Sequence, residues 1–196
     1  MSAADRIATG FRLVEEAGII AAAAFANADL HIESKGPGDL VSEADFAIEQ
    51  LARQIIGAAF PEDGFIGEEY GGTALAQGFT WLIDPIDGTV NFARKLGYYC
   101  VSLALLADGR PIAAWVLDPE RRELFHAGED GICRLNGRPV HCAGVSDFGE
   151  SVIGLGFSPR HDLGLGARLV GGLTAGGAEH RRVGAGALCL AHVAVG

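Results

Sequence analysis

The residues best suited to chemistry are two carboxylates three positions apart, delivered by an apolar run into a Pro/Gly turn that ends in a hydroxyl. They lie in Trp81-Leu82-Ile83-Asp84-Pro85-Ile86-Asp87-Gly88-Thr89-Val90. The apolar run reads as a buried strand. Pro85 lacks an N–H and restricts the residue before it, which predicts that this strand ends at Asp84. Gly88 lets the turn pass close to a ligand, and the N–H groups of Gly88, Thr89 and Val90 would open a following helix, where an anion is favoured. Carboxylates, a backbone carbonyl and a hydroxyl are oxygen donors that suit magnesium or manganese rather than zinc or copper. A plain acidic strand-turn-helix would use the same residue types, so a functional reading needs partners elsewhere in the chain.

Two upstream segments could supply them. Phe65-Ile66 reads as a short strand running into Gly67-Glu68-Glu69. Adjacent strand residues face opposite sides, so only one of the two glutamates can share a site with Asp84; a solvated pair is the alternative. In Lys35-Gly36-Pro37-Gly38-Asp39-Leu40-Val41-Ser42-Glu43-Ala44-Asp45, glycine and proline mark a flexible loop. Ser42 and Asp45 then form a capping-box start for a helix over residues 43–58 that turns Phe46, Ile48, Leu51, Ile55 and Ile56 toward a core. Helix initiation by itself accounts for both Ser42 and Asp45.

The ordered set Asp-Leu-Val-Ser-x-x-Asp, Gly-Glu-Glu and Trp-Leu-Ile-Asp-Pro-Ile-Asp-Gly-Thr-x-Asn-Phe resembles the inositol monophosphatase family, and the likeness runs from about Leu13 to Gly196. The resemblance implies a layered αβαβα sandwich of the inositol monophosphatase and sugar phosphatase type, α+β to α/β in class. Residues 1–143 would be the N-terminal α+β lobe with the metal site, and residues 144–196 the start of a C-terminal α/β lobe that is incomplete. It implies that Glu68, Asp84 and the Ile86 carbonyl bind one magnesium. Asp84 would be shared with a second ion that also meets Asp87, with two or three ions per site and manganese as a possible substitute. Glu68 and the Thr89 hydroxyl, itself oriented by Asp45, would position and deprotonate a water for in-line attack on a phosphate. Asp87, Gly88, Thr89 and Gly186 would contact the substrate, and Lys35 would close over the site.

The implied substrate is a small phosphorylated polyol, most directly myo-inositol monophosphate, hydrolysed by a lithium-sensitive homodimer. Two departures bear on this. The family's C-terminal Trp-Asp motif, whose aspartate ligates the second metal, has no counterpart here, so that metal would be held less tightly. Gly184-Ala185-Gly186 stands where Gly-Thr-Ala is common, which removes a substrate-lining hydroxyl. A fructose bisphosphatase, a bisphosphate nucleotidase, a histidinol phosphatase and a metal-binding fragment without turnover are the alternatives. Asn91-Phe92 leans toward the inositol phosphatase branch. A haloacid-dehalogenase-type phosphatase needs one residue between its aspartates, whereas Pro85 and Ile86 both intervene here.

Composition fits this reading. The 196 residues are 49% hydrophobic, enough to bury a sizeable core, and 15 basic against 25 acidic residues give a net charge of −10. That balance argues against nucleic acid or an acidic membrane as partner. Cys100, Cys133, Cys142 and Cys189 show no metal-ligand spacing and are expected as buried free thiols in a reducing, cytoplasmic setting. Residues 4–28 read as an alanine-rich helix with Ile7, Phe11, Val14, Gly18, Ala21, Ala22 and Phe25 along one side, too short in its apolar run to span a membrane. Strands at 100–106, 111–117, 123–127 and 132–135, separated by Asp-Gly, Asp-Pro, Glu-Asp-Gly and Asn-Gly, predict an antiparallel meander. Farther on come a strand at 151–156, a helix at 164–173, a mobile loop over Gly171 to Gly177 and a helix at 185–194. The expected outcome of Asp84→Asn is loss of metal-dependent turnover by more than about 100-fold with the fold retained, checked by phosphate release and circular dichroism.

Overall fold

A computed structural model describes residues 1–36, 39–156 and 163–196, apart from the side chains of Lys35, Asp39 and Leu163. Helix α1 (Ala3–Ala26) starts at a capping box between Ser2 and Asp5 and turns Leu13, Val14, Ala17, Gly18 and Ala21 into the interior. Helix α2 (Glu43–Ala59) packs beside it. Close approach to the sheet depends on small residues in α1: a Cβ on Gly10 would lie 2.5 Å from the Trp115 ring, and one on Gly18 would strike Leu117.

Both helices cover one face of an eight-stranded sheet. Its strands are β3 (Gly64–Gly67), β4 (Gly71–Thr73), β5 (Phe79–Asp87), β6 (Cys100–Ala107), β7 (Arg110–Asp118), β8 (Glu123–Ala127), β9 (Cys133–Leu135) and β10 (Arg138–Pro139). They are ordered β10-β9-β8-β7-β6-β5-β3-β4. Strands β5 to β10 form the expected meander, and the pairing of β3 with β5 is the one parallel contact of this sheet among the described residues. Alternation along the strands divides the apolar residues between two cores. Trp81, Ile83, Leu103, Leu105 and Trp115 pack with α1 and α2, while Cys100 and Phe125 pack with Ala185, Leu188 and Ala191 near the C-terminal helix α5 (Gly186–Val193).

The remaining elements flank this frame. A hairpin of β1 (Ile32–Gly36) and β2 (Asp39–Ser42) precedes α2, and the short helix α3 (Thr89–Ala93) follows β5 and lies against β2. A parallel pair, β11 (Val152–Gly154) and β12 (Glu179–Arg181), is linked by α4 (Leu163–Ala175). Helices on both sides of a mixed sheet give the layered α/β architecture expected. Among the described residues no helix is long and apolar enough to cross a membrane.

Four expectations need correction. Strand β5 does not stop at Asp84 but continues to Asp87. Asp84 pairs with Ser102 and Asp87 with Cys100, so one extra residue sits in β5 between these pairs, and this bulge accommodates Pro85, where a missing N–H breaks no ladder bond. Helix α4 runs through Gly171 and Gly172 to Ala175, so the glycine-rich turn is confined to Gly176 and Gly177. The loop expected from Lys35 is strand up to Gly36 and again from Asp39, with Pro37 and Gly38 outside the described residues. Only Cys100 is buried; Cys133 and Cys189 are half-buried, Cys142 is exposed, and all four are free thiols.

The N-terminal helix is locked to the sheet by a buried charge. The Arg6 guanidinium lies between the rings of Phe60 and Phe79, 4.5 and 3.9 Å from their centroids, and donates to both Asp63 oxygens at 2.8 and 2.6 Å. Asp63 also accepts the Trp81 indole N–H at 2.9 Å. Arg6→Met removes one half of this pair and leaves Asp63 buried with only the indole, so unfolding in urea should show a loss of about 3 kcal/mol.

Candidate metal and phosphate site

The parallel register fixes the centre of the site. Gly67 pairs with Ile83, so the next residues stand side by side, Glu68 just past the end of β3 and Asp84 at the bulge of β5. This is where parallel strands present ligand-binding groups. The Glu68 carboxyl lies close enough to that of Asp84 to make it harder to ionise. Asp84 Oδ1 is buried and has no hydrogen-bond partner.

Asp45 approaches from the first turn of α2. It is fully buried, and its Oδ2 accepts from the Ser42 backbone N–H at 2.9 Å and the Ser42 hydroxyl at 2.6 Å. That is the expected capping box. Its Oδ1, however, is buried without a partner, which a helix cap does not require. The electrostatics agree with the geometry. Burial pushes the Asp45 carboxyl up to about 6, against the opposing pull of its Ser42 hydrogen bonds, with Glu69 and Glu68 adding repulsion. Burial also pushes Asp84 up to about 9, reinforced by the charge of Glu68 and by Asp87 and Asp45. Buried acceptors that repel one another are the environment a hard cation relieves.

The turn beyond Asp84 is shaped by Gly88, which caps α3 at φ 95° and lies so close to the next lobe that a Cβ would come within 3.0 Å of Ala185 Cβ and 3.1 Å of the Tyr98 carbonyl. Asn91 holds the turn by donating from Nδ2 to the carbonyls of Tyr98 and Val183 at 2.8 and 2.7 Å. The Thr89 hydroxyl donates to the Ile86 carbonyl at 3.0 Å instead of meeting Asp45. A carbonyl has a second lone pair, so Ile86 keeps a site for another partner. Asp87 is committed elsewhere: Oδ1 accepts from the Gly186 N–H at 2.9 Å and Oδ2 from the Ala187 N–H at 2.6 Å, capping α5.

The structure therefore brings Glu68, Asp84 and Asp45 together and sets Ile86, Gly88 and Thr89 beside them. Among the described residues no three His, Cys, Asp or Glu side chains form a ready metal-binding group, consistent with Asp87 turning toward α5. The donors present nonetheless fit a hard cation, because the orphaned Asp84 oxygen, the exposed Glu68 carboxylate and the Ile86 carbonyl are all oxygens at one strand end. Gly186 joins the site through Asp87. Lys35 lies on β1, and its side chain is outside the described atoms. Arg182 lines a cavity of about 540 Å³ with Gly154, Gly184, Gly186 and Cys189. Sequence reasoning missed Glu49, a fully buried carboxylate one turn after Asp45. The Glu49–Arg53 spacing of four was its only signal, and that pattern usually marks a solvated helix face.

Comparison with known proteins places this geometry. The sequence profile described as the inositol monophosphatase family matches residues 3–196. The chain belongs to the inositol monophosphatase family. Relatives include a protein named Nus factor SuhB from Xylella fastidiosa, 38% identical over 85% of this chain and 61% of its own length. Another, named inositol-1-monophosphatase, from Rhizobium meliloti, is 36% identical over 86% of this chain and 64% of its own. The solved structure of extragenic suppressor protein suhB from Bartonella henselae superposes with a TM-score of 0.89 at 28% identity, over 98% of this chain and 75% of that one. A Thermotoga maritima IMPase gives 0.88 at 25%, over 98% and 73%. The chain thus spans roughly three fifths to three quarters of the length of these family members.

The raised carboxyls give a signed pH dependence. Asp45 and Asp84 hold protons more tightly folded than unfolded, so both favour the folded state at low pH, and that contribution is lost as pH rises from about 4 through about 6 for Asp45 and about 9 for Asp84. In chelator, the melting temperature should fall from pH 5 to pH 9, and Asp84→Asn should flatten the decline. A thermal melt series checks both.

Proposed function

We propose that this family member is a magnesium-dependent phosphomonoesterase acting on a small phosphorylated polyol, with myo-inositol monophosphate as the first candidate. The observation that carries the reading is the buried, unpartnered Asp84 oxygen at the bulge of β5, set against Glu68 at the end of the parallel strand β3. A related solved structure, described as inositol monophosphate bound SaIMPase-II, supports the substrate class at 26% identity and a TM-score of 0.78.

Each group has a task set by its place. Glu68, Asp84 and the Ile86 carbonyl would hold magnesium, which supplies charge neutralisation and acidifies bound water. Glu68, exposed to solvent, accepts the proton of the attacking water. Asp45, held by Ser42, keeps a negative oxygen behind that carboxylate and limits its retreat. The N–H groups of Gly88 and Thr89 hold phosphate oxygens in line for attack. Asp87 and Gly186 border the alcohol side of the ester, where Ala185 offers no hydroxyl. Two or three ions, lithium inhibition, a homodimer and a cytoplasmic location belong to the same reading, as does the absence of a nucleic-acid or membrane partner on a chain of net charge −10.

The relatives named Nus factor SuhB favour a second reading, in which the chain serves in the role that name denotes without depending on turnover. Phosphate release from inositol, sugar and nucleotide monophosphates, with and without magnesium and lithium, separates the two. Magnesium-dependent, lithium-inhibited release, fastest from inositol monophosphate, is expected. Tight magnesium binding with no release from any substrate would reject the hydrolase and leave the second reading.

A further inference from the structure

We propose that Glu49 is a positioning residue that sets the direction of the Glu68 carboxylate; this rests on the hydrolase reading above for its chemical consequence and on the structure alone for its geometry. Glu49 lies on α2 one turn beyond Asp45 and is fully buried. Its Oε2 accepts the backbone N–H of Glu69 at 2.7 Å, and its Oε1 accepts that of Tyr70 at 3.2 Å. Both amides belong to the turn that begins at Glu68. Arg53, one further turn along α2, donates to Glu49 Oε1 from Nε and Nη2 at 3.1 and 2.8 Å. The same Nη2 reaches the Gly71 carbonyl at 2.6 Å, at the other end of the turn. One carboxylate and one guanidinium thus grip a four-residue turn from inside.

Two features show that the grip is specific. A Cβ on Gly67 would collide with the Glu49 carboxylate, so any side chain there would push Glu49 off the turn it holds. The carboxylate also receives charge-assisted bonds from two amides and a guanidinium, which satisfies a buried anion that would otherwise be costly. Glu68 has no such anchor of its own: it is exposed and follows β3 directly. Its carboxylate can remain against Asp84 only because the next two amides are pinned. Helix α2 therefore carries two carboxylates with different work, Asp45 facing the site and Glu49 holding the turn that faces it. Groups that orient a ligand in this way are typically worth 10–100-fold in metal affinity.

Glu49→Gln tests this. Its single amide oxygen can serve one of the two N–H groups, its NH2 opposes the other, and the pairing with Arg53 is lost. The expected result is retained circular dichroism, roughly tenfold weaker magnesium binding by calorimetry, and faster hydrogen exchange at the Glu69 and Tyr70 amides. Glu49→Asp should recover part of the affinity. In a Glu68→Gln background the Glu49→Gln effect on magnesium should vanish, because the positioned group is gone. Unchanged affinity and exchange in Glu49→Gln, or an equal loss of affinity with and without Glu68, would overturn the proposal. If the unaltered protein binds no magnesium and releases no phosphate, the hydrolase reading fails by itself. The positioning role is then decided by amide exchange alone, with unchanged protection at Glu69 and Tyr70 refuting it.

Discussion

Everything chemical in this protein depends on one strand pairing, that of β3 with β5. Among the described residues all other neighbours in the eight-stranded sheet run antiparallel, and this pair brings two chain directions into agreement, so that both strands run toward the same edge. With Gly67 opposite Ile83, Glu68 and Asp84 emerge together. A slip of one residue would turn one of them to the other face of the sheet. The register is held from the face that α2 covers: Phe60, Trp81 and Trp115 stack there, and on the same face Gly67 admits Glu49.

The carboxylates so assembled are a strained arrangement by ordinary rules. Asp45 is buried and Asp84 half-buried, each with a buried, unpartnered oxygen, and Asp84 lies against Glu68. Folding alone gains nothing from placing them there, since desolvated like charges oppose it. Other parts of the molecule offset the cost. The Arg53–Glu49 grip borders the site, the two apolar cores support the sheet, and the Arg6 pair with Asp63 lies at the opposite end of β3 and β5; all leave the site's own acceptors open. Sites that do chemistry are commonly stabilised from outside in this manner.

Local signals made much of this readable in the sequence. Turn dipeptides marked the meander, alanine and apolar spacing marked α1 and α2, and Ser42 with Asp45 marked a helix start that the structure keeps. Non-local facts were not readable. Pro85 looked like the end of a strand because a bulge is visible only against its partner, here Ser102 and Cys100. Glu49 looked like a surface residue because its partners lie 20 and 21 positions away. Asp87 was expected at a second metal ion and the substrate, and its capping of α5 was not readable because the amides it meets follow about a hundred residues later.

That last distance has a consequence for the order in which the protein is made. The meander and its two covering helices need only residues up to about 140, and most of their contacts are between sequential neighbours. The turn after β5 is different: Asn91 is fixed by the Val183 carbonyl, and Asp87 by the amides of Gly186 and Ala187. Closing so long a loop carries an entropic penalty and is slow. During synthesis the sheet can therefore be complete while its reactive edge is still unset, and the segment that carries β12 and α5 acts as the final fastener. The turn after β5 is thus the last part of the candidate site to be set, although its residues are among the earlier ones to leave the ribosome.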